Sequence, residues 1–192
     1  MKYYEIVPWT GVGKEANAYV DWTQFKRETV TKLIKGEKIN DNEIEFKNIW
    51  LKNVSKRFPD LMGTGSSEFF ITSKFKELIE SMESPENIHF ISGEFTRKPK
   101  HYWLVNLLNN VACFDWEKSD YTLYDETLVG RKAINSIEKL AIKEEKVNGR
   151  NIFRIEEKPV SIYISQKLKD AMEEHGITGY ALDRHVYEII TT

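Results

Sequence analysis

The chain has 192 residues, of which 41% are hydrophobic and 30% charged, and this balance excludes an intrinsically disordered protein. A formal net charge of −2 excludes the basic footprint of a nucleic-acid-binding protein. Cys113 is the one cysteine, which excludes an intrachain disulfide and a zinc site built on several thiolates. No stretch approaches the roughly 20 apolar residues of a membrane helix. We therefore expect a cytoplasmic protein that binds neither nucleic acid nor membrane.

The first predicted element is a strand. Strand-forming residues run from Tyr3 to Val7 and end at Pro8. Residues 10–15, TGVGKE, then predict a glycine-rich loop. A phosphate-binding P-loop has four residues between its glycines and Ser or Thr after its lysine, so this segment is interpreted as a turn.

A helix follows, because apolar residues recur at helical spacing before a stop at Gly36. Residues 48–54 predict another extended piece. Residues 57–67 predict a loop, since they are rich in Pro, Gly and Ser.

The most informative pattern occurs twice. Residues 69–81 read FFITSKFKELIES and residues 162–174 read IYISQKLKDAMEE, with nearly every aligned position identical or chemically matched. Each copy predicts a strand followed by an amphipathic helix. The hydroxyl residue between them, Thr72 or Ser165, is predicted to accept a hydrogen bond from the first turn of the helix.

Each copy leads into a turn and another strand-like run, so we predict strand–helix–strand units near residues 69–95 and 162–183. The predicted fold class is α+β, with mixed, mostly antiparallel sheet on which the two units pack. The repeat further predicts internal pseudo-symmetry. We predict a single domain over residues 1–192, with a variable N-terminal portion, 1–60, and a core over 69–192.

The segment between the copies is also predicted to be mostly strand. Tyr102–Leu108 is apolar on both faces and predicts a central strand. Further strands are predicted at Val111–Trp116, Lys139–Ile142 and Ile152–Ile155. The second of these is ambiguous, because Ile134, Ile137 and Ala141 also fit one helical stripe.

No residue pattern predicts catalysis or metal binding. The histidines at 89, 101, 175 and 185 lack metal-ligand spacing. Asp183 and His185 would share one face of a strand, but no nucleophile accompanies them, so a surface pair is the simpler interpretation. Cys113 lies in an apolar run and is interpreted as a buried small hydrophobe. We expect no catalytic residue, no cofactor and no bound metal.

The acidic ends of the two repeated helices depart from local rules. Glu173 and Glu174 end the second helix, while the first carries Glu77, Glu80 and Glu83. Acidic groups near a helix C-terminus oppose the macrodipole by a few tenths of a kcal/mol each. A solubilising surface explains them most simply. The functional hypothesis is that Glu173 and Glu174 face a basic partner.

From residue 69 onward, the order of segments resembles the immunity proteins of bacterial polymorphic-toxin systems, a family first catalogued as a domain of unknown function. The resembling segments are FFITSKFKELIE, HYWLVNLLNNVACFDW, NIFRI and SIYISQKLKDAMEEHGITGYAL. The positions that match the family pattern are Tyr102, the Val-x-Cys-x-Asp-like stretch 111–115, the Ile-Phe-Arg tripeptide 152–154 and the Gly-x-Thr-Gly of 176–179. The resemblance spans about residues 69–182, and the first 60 residues match poorly.

The resemblance implies that the chain binds and neutralises a cognate protein toxin, without catalysis and without a cofactor. It implies structural roles for Phe153, Arg154, Gly176 and Gly179. Tight protein inhibition needs a packed cluster of anchor residues, often Trp, Tyr or Arg. In the poorly matching N-terminal part, the candidate anchors are Trp9, Trp22 and Trp50, with core packing as the alternative for each.

Two other functions stay open on the sequence. One is a module that binds a small molecule or peptide between the two duplicated halves. The other is an enzyme with an unrecognised site.

Overall fold

Strands outnumber helices in the computed structural model, which describes residues 1–9, 19–20, 25–40, 49–52, 58–64, 67–95, 101–125, 127, 133–182 and 188–192. Within these ranges the helices are α1 (Arg27–Ile34), α2 (Ser73–Glu80), α3 (Glu144–Val147) and α4 (Gln166–Glu174), and a 3₁₀ turn spans Pro85–Asn87. The strands are β1 (Tyr3–Pro8), β2 (Tyr19–Val20), β3 (Leu51–Lys52), β4 (Leu61–Gly63), β5 (Phe69–Thr72), β6 (Ile88–Gly93), β7 (Tyr102–Leu107), β8 (Asp120–Leu123), β9 (Ile134–Ile142), β10 (Ile152–Ile155), β11 (Lys158–Ser165), β12 (Tyr180–Leu182) and β13 (Glu188–Thr191).

The fold class is α+β with mostly antiparallel sheets, as the sequence predicts. One four-stranded sheet has the order β4-β5-β7-β6, and we call it the first sheet; the second sheet has the order β10-β11-β1-β12. A three-stranded sheet, β13-β9-β8, lies beside them and contains a parallel pair, β13 with β9. Strands β2 and β3 form a short antiparallel pair.

Both predicted strand–helix units are present, and their sheets have the same pattern. β5 leads into α2, and β11 leads into α4. Trp103 of β7 lies opposite Ile71, while Tyr4 of β1 lies opposite Ile164, and Ile71 and Ile164 are aligned positions of the repeat. β1 therefore occupies the position next to β11 that β7 occupies next to β5.

Asp60 connects the first unit to the second. Its carboxylate accepts a hydrogen bond from the Thr72 hydroxyl at 2.9 Å, at the end of its own unit's strand. The same carboxylate accepts bonds from the hydroxyl and backbone N–H of Thr178, at 2.8 and 3.1 Å, in the turn after α4. The backbone N–H of Leu61 donates to the carbonyl of Thr178 as well.

A second contact between the units resembles the first, with the roles of the two units exchanged. The side-chain oxygen of Asn151 accepts from the Ser165 hydroxyl at 2.8 Å, and the backbone N–H of Asn151 donates to Glu83 at 2.8 Å, just after α2. Glu83 also accepts from the N–H of Ile152. Glu83 is thus a buried connecting residue and not the solvated acid that the sequence suggested. These matched contacts are what a duplicated unit would produce, and the pseudo-symmetry itself stays a prediction.

The two predicted helix caps differ from each other. Ser165 accepts a hydrogen bond from the N–H of Leu168 at 3.1 Å, as predicted for α4. Thr72 makes no such bond at the start of α2, and its hydroxyl donates to Asp60. The Ser165 hydroxyl, in contrast, both donates to Asn151 and accepts the cap bond from Leu168.

The hydrophobic core has three parts. The first lies where α2 and α4 meet and includes Phe75 and Leu168. The second lies on the opposite face of the first sheet, where Leu33 of α1 packs near Phe70. The third surrounds Cys113 and joins the second sheet to β9. The two repeated helices therefore share one core, while the N-terminal residues cover the other face of the first sheet.

Two segments differ from their predicted structure. Residues 57–67 contain β4, whose Leu61 and Met62 are buried, so the predicted loop is wrong at its centre. Val111–Trp116 is not a continuous strand, since its ladder contacts are isolated bridges from Val111 to Ile155 and from Phe114 to Ile142. The ambiguous stretch is settled as strand β9.

Arg154, in the Ile-Phe-Arg tripeptide, is a buried cation with only 1% of its surface exposed. Its guanidinium lies 3.3 Å from the buried carboxylate of Glu68 and donates to the carbonyl of Pro159 at 2.6 Å. Burial lowers the pKa of Arg154, and the Glu68 charge opposes that shift. The pair joins β10 to the segment before β5, which supports the structural role implied for Arg154.

We expect Gly179→Ala to destabilise the protein far more than Gly176→Ala. Both glycines have positive φ, which disfavours alanine by about 1–2 kcal/mol. A Cβ at Gly179 would also lie 2.2 Å from Cβ of Pro59 and 2.4 Å from the carbonyl oxygen of Leu61, whereas a Cβ at Gly176 meets nothing within 4 Å. Urea unfolding should show a further loss of about 3 kcal/mol at Gly179. Equal losses would contradict the packing described here.

We expect Arg154→Met to lower the free energy of unfolding by about 3–5 kcal/mol, because it leaves the Glu68 carboxylate buried without its cation. The double variant Glu68→Leu with Arg154→Met should recover most of that loss, since a buried ion pair replaced by apolar groups is often neutral. Urea titration of the three proteins measures both effects. A double variant as unstable as Arg154→Met would show that the arginine's other contacts dominate.

Candidate partner-binding surface

Two of the three candidate anchor tryptophans lie within the described residues, and both are exposed. Trp9 has 42% of its surface exposed and Trp50 has 66%. Neither side chain is therefore fully buried in the core, and both residues make contacts within the protein. Trp22 lies outside the described residues.

A series of contacts connects Trp9, which follows β1 of the second sheet, to Trp50 beside the first sheet. The N–H of Trp9 donates to the carbonyl of Gly179, and Gly179 lies against Pro59. The carbonyl of Pro59 accepts a hydrogen bond from the hydroxyl of Tyr102 at 2.6 Å. Pro59 and Tyr102 thus connect Trp9 to the end of β7.

The connection continues on the other face of the sheet. The ring of Tyr102 meets that of Phe95 edge-on, with centroids 5.5 Å apart. Phe95 forms a parallel bridge with Ile49, the residue before Trp50. A series of contacts therefore runs from the backbone of Trp9 to Ile49, the neighbour of Trp50.

Glu173 is already used inside the protein. It forms an ion pair with Lys169 at 2.8 Å, and the Lys169 ammonium lies 5.9 Å from the ring centre of Tyr4. The hydrogen bond to Glu173 raises the pKa of Lys169. The first unit repeats this arrangement, with Lys76 paired to Glu80 and 5.0 Å from the ring centre of Trp103.

Glu174 differs from its neighbour. It is exposed, and its side chain makes no hydrogen bond or ion pair in the part of the chain that the structure describes. Close by, the Lys74 ammonium donates to the carbonyl of Gly176 at 3.1 Å, and His175 Nδ1 lies 2.8 Å from the carbonyl of Ala171. These two side chains compensate the negative end of α4 and leave the Glu174 carboxylate available to a partner.

The described residues contain no group of His, Cys, Asp and Glu arranged to hold a metal ion. Cys113 is fully buried, and burial raises the pKa of its thiol to about 12, so the thiol stays protonated at neutral pH. The predicted surface pair Asp183–His185 and the glycine-rich segment 10–15 lie outside the described ranges. No helix of the described chain is long and apolar enough to cross a membrane.

Taken together, the described residues define an α+β protein of two joined strand–helix units that exposes the side chains of Trp9 and Trp50. The chain belongs to the immunity protein family (Imm11), whose model matches residues 38–186, well over half of the 192 residues. The resemblance seen in the sequence is thereby confirmed. Among curated proteins, none matches this sequence. The family match includes Trp50, Glu173 and Glu174, whereas Trp9 and Trp22 precede it.

Proposed function

We propose that this chain binds and neutralises a cognate bacterial toxin in the cytoplasm of the cell that makes both proteins. It acts by covering the toxin's surface, without catalysis and without a cofactor. Membership of the immunity protein family supports the class of function. The toxin's identity and activity are left open by this proposal.

The observation that carries the proposal at residue level is the exposure of Trp9 and Trp50. A tryptophan side chain offers a large apolar area, and tryptophan is enriched among the residues that dominate protein–protein affinity. Exposure of this much apolar indole surface to water is unfavourable, and a partner that covers the two rings removes that cost. We therefore assign Trp9 and Trp50 as anchors for the toxin, and we keep Trp22 as a third candidate.

The acidic end of α4 supplies the proposed charge contact. Glu174 is the better candidate of the two glutamates, because Glu173 is held by Lys169. We propose that Glu174 faces a basic group of the toxin. The role of Glu173 is then to hold Lys169 against Tyr4 and so to support the surface next to it.

The alternative function, a ligand site between the duplicated halves, receives no support from the packing. Where α2 meets α4, the space between the units is occupied by buried side chains, among them Phe75, Leu78, Leu168 and Met172. A ligand there would have to displace part of the shared core.

Co-expression tests the proposal most directly. The toxin gene next to this one should arrest growth when expressed alone, and growth should recover when this chain is expressed with it. The tagged chain should retain the toxin in a pull-down. A neighbouring toxin that is neither bound nor made harmless would refute the immunity function.

Substitutions then test the assigned surface with the purified pair. We expect Trp9→Ala, Trp50→Ala and Glu174→Lys each to weaken toxin binding roughly tenfold or more in calorimetry, the scale of an interface hot spot. The matched controls are Val160→Ala, which trims a side chain 57% exposed, and Glu145→Lys on the exposed face of α3. If the controls weaken binding as much as the test variants, the toxin occupies another surface.

A further inference from the structure

Strand β8 is an edge strand that is exposed almost throughout. Three of its four residues are exposed, and it pairs with β9 along one side. Within the described ranges, no other segment is hydrogen-bonded to its outer side. Leu123 and the adjoining Tyr124 are 37% and 49% exposed. The unpaired N–H and C=O groups of such an edge form a template for an additional strand.

Two edge strands of the larger sheets, β10 and β4, are treated differently. Along β10, the N–H of Val111 donates to the carbonyl of Arg154, and the N–H of Glu156 donates to the carbonyl of Val111. Along β4, the N–H of Leu61 donates to the carbonyl of Thr178. Within the described residues, the chain thus supplies hydrogen-bond partners along β10 and β4 but none along the outer edge of β8.

The β8–β9 hairpin also offers an apolar platform that continues outward from the core. Tyr121 packs edge-on against Trp116, with ring centroids 5.2 Å apart. Further along the hairpin, Leu123 lies opposite Ile134, which packs against the same core. An added strand could therefore place apolar side chains beside Leu123 while its backbone pairs with β8.

The charges around this hairpin are mostly negative. The charged residues of the described part are Glu117, Lys118, Asp120, Asp125 and Glu138, which are exposed, and Lys139, which is half-buried opposite Asp120. The carboxylates that join the two units, Asp60 and Glu83, lie elsewhere, so this charge is not part of the inter-unit contacts. A strand that approaches the edge of β8 meets an acidic surface, and lysine or arginine side chains complement it.

We propose that β8 receives an extended segment of a protein partner, added as a further strand in which apolar residues alternate with lysine or arginine. The inference rests on the proposed function, because it takes that partner to be the cognate toxin. A second copy of this chain fits less well. Two copies paired antiparallel through β8, in the register that sets Asp120 of one opposite Asp125 of the other, would oppose like charges, which is destabilising.

Hydrogen–deuterium exchange of the purified toxin complex tests this inference. We expect the amides of residues 120–124 to exchange more slowly in the complex than in the free protein. Leu123→Lys should weaken toxin binding roughly tenfold or more, because it sets a charge on the platform. Val160→Lys, the matched change on β11, should leave binding unchanged. The exchange measurement uses the unaltered protein and so does not depend on the folding of a variant.

Each other outcome has a distinct meaning. If the complex forms and neutralises the toxin but residues 120–124 exchange at an unchanged rate, this inference fails and the proposed function stands. If no complex forms, both fail together. If residues 120–124 of the free protein become protected as its concentration rises, and sedimentation shows a dimer, a second copy occupies the edge and the toxin does not.

Discussion

Two buried carboxylates, Asp60 and Glu83, hold the two strand–helix units together, and the rest of the fold is arranged around them. Asp60 accepts a hydrogen bond from the backbone N–H of Thr178, and Glu83 accepts one from that of Asn151, just before β10. Each carboxylate also accepts a bond from its own side, Asp60 from Thr72 and Glu83 from Asn87, and a buried carboxylate needs such donors because burial without them is strongly unfavourable. Docking and the internal order of each unit are therefore coupled. The shared core around α2 and α4 forms as a result of the same event.

The candidate surface depends on this docking. The contact between Asp60 and Thr178 brings Gly179 against Pro59, and Gly179 in turn holds the backbone of Trp9. The same turn follows α4 and so fixes the position of Glu174. A rigid arrangement of anchors favours tight binding, because little order has to be gained when the partner arrives. The buried hydrogen bonds thus fix the backbone positions of the residues that form the candidate surface.

The sequence predicted what depends on local patterns. The repeat at 69–81 and 162–174 revealed both strand–helix units, and the cap at Ser165 followed from spacing alone. Partners distant in the sequence could not be predicted. The hydrogen bond from Thr72 to Asp60 is one example. Strand β4 is another, because its residues are typical of a turn and its pairing with β5 stabilises it as a strand. The exposure of Trp9 and Trp50 could not be predicted from the sequence either, because an exposed anchor and a buried core residue are both simply tryptophan. The buried roles of Glu83 and Arg154 also required the fold.

β1 has a further consequence for how the molecule is made. It lies near the start of the chain yet pairs with β11 and β12, so the second sheet closes across more than 150 intervening residues. During synthesis the first sheet has all its strands once residue 107 has emerged, while β1 waits for a partner that the ribosome supplies only near residue 165. Contacts so distant in sequence form slowly. The newly made chain therefore passes through a stage in which its first sheet is complete and Trp9 has no fixed position.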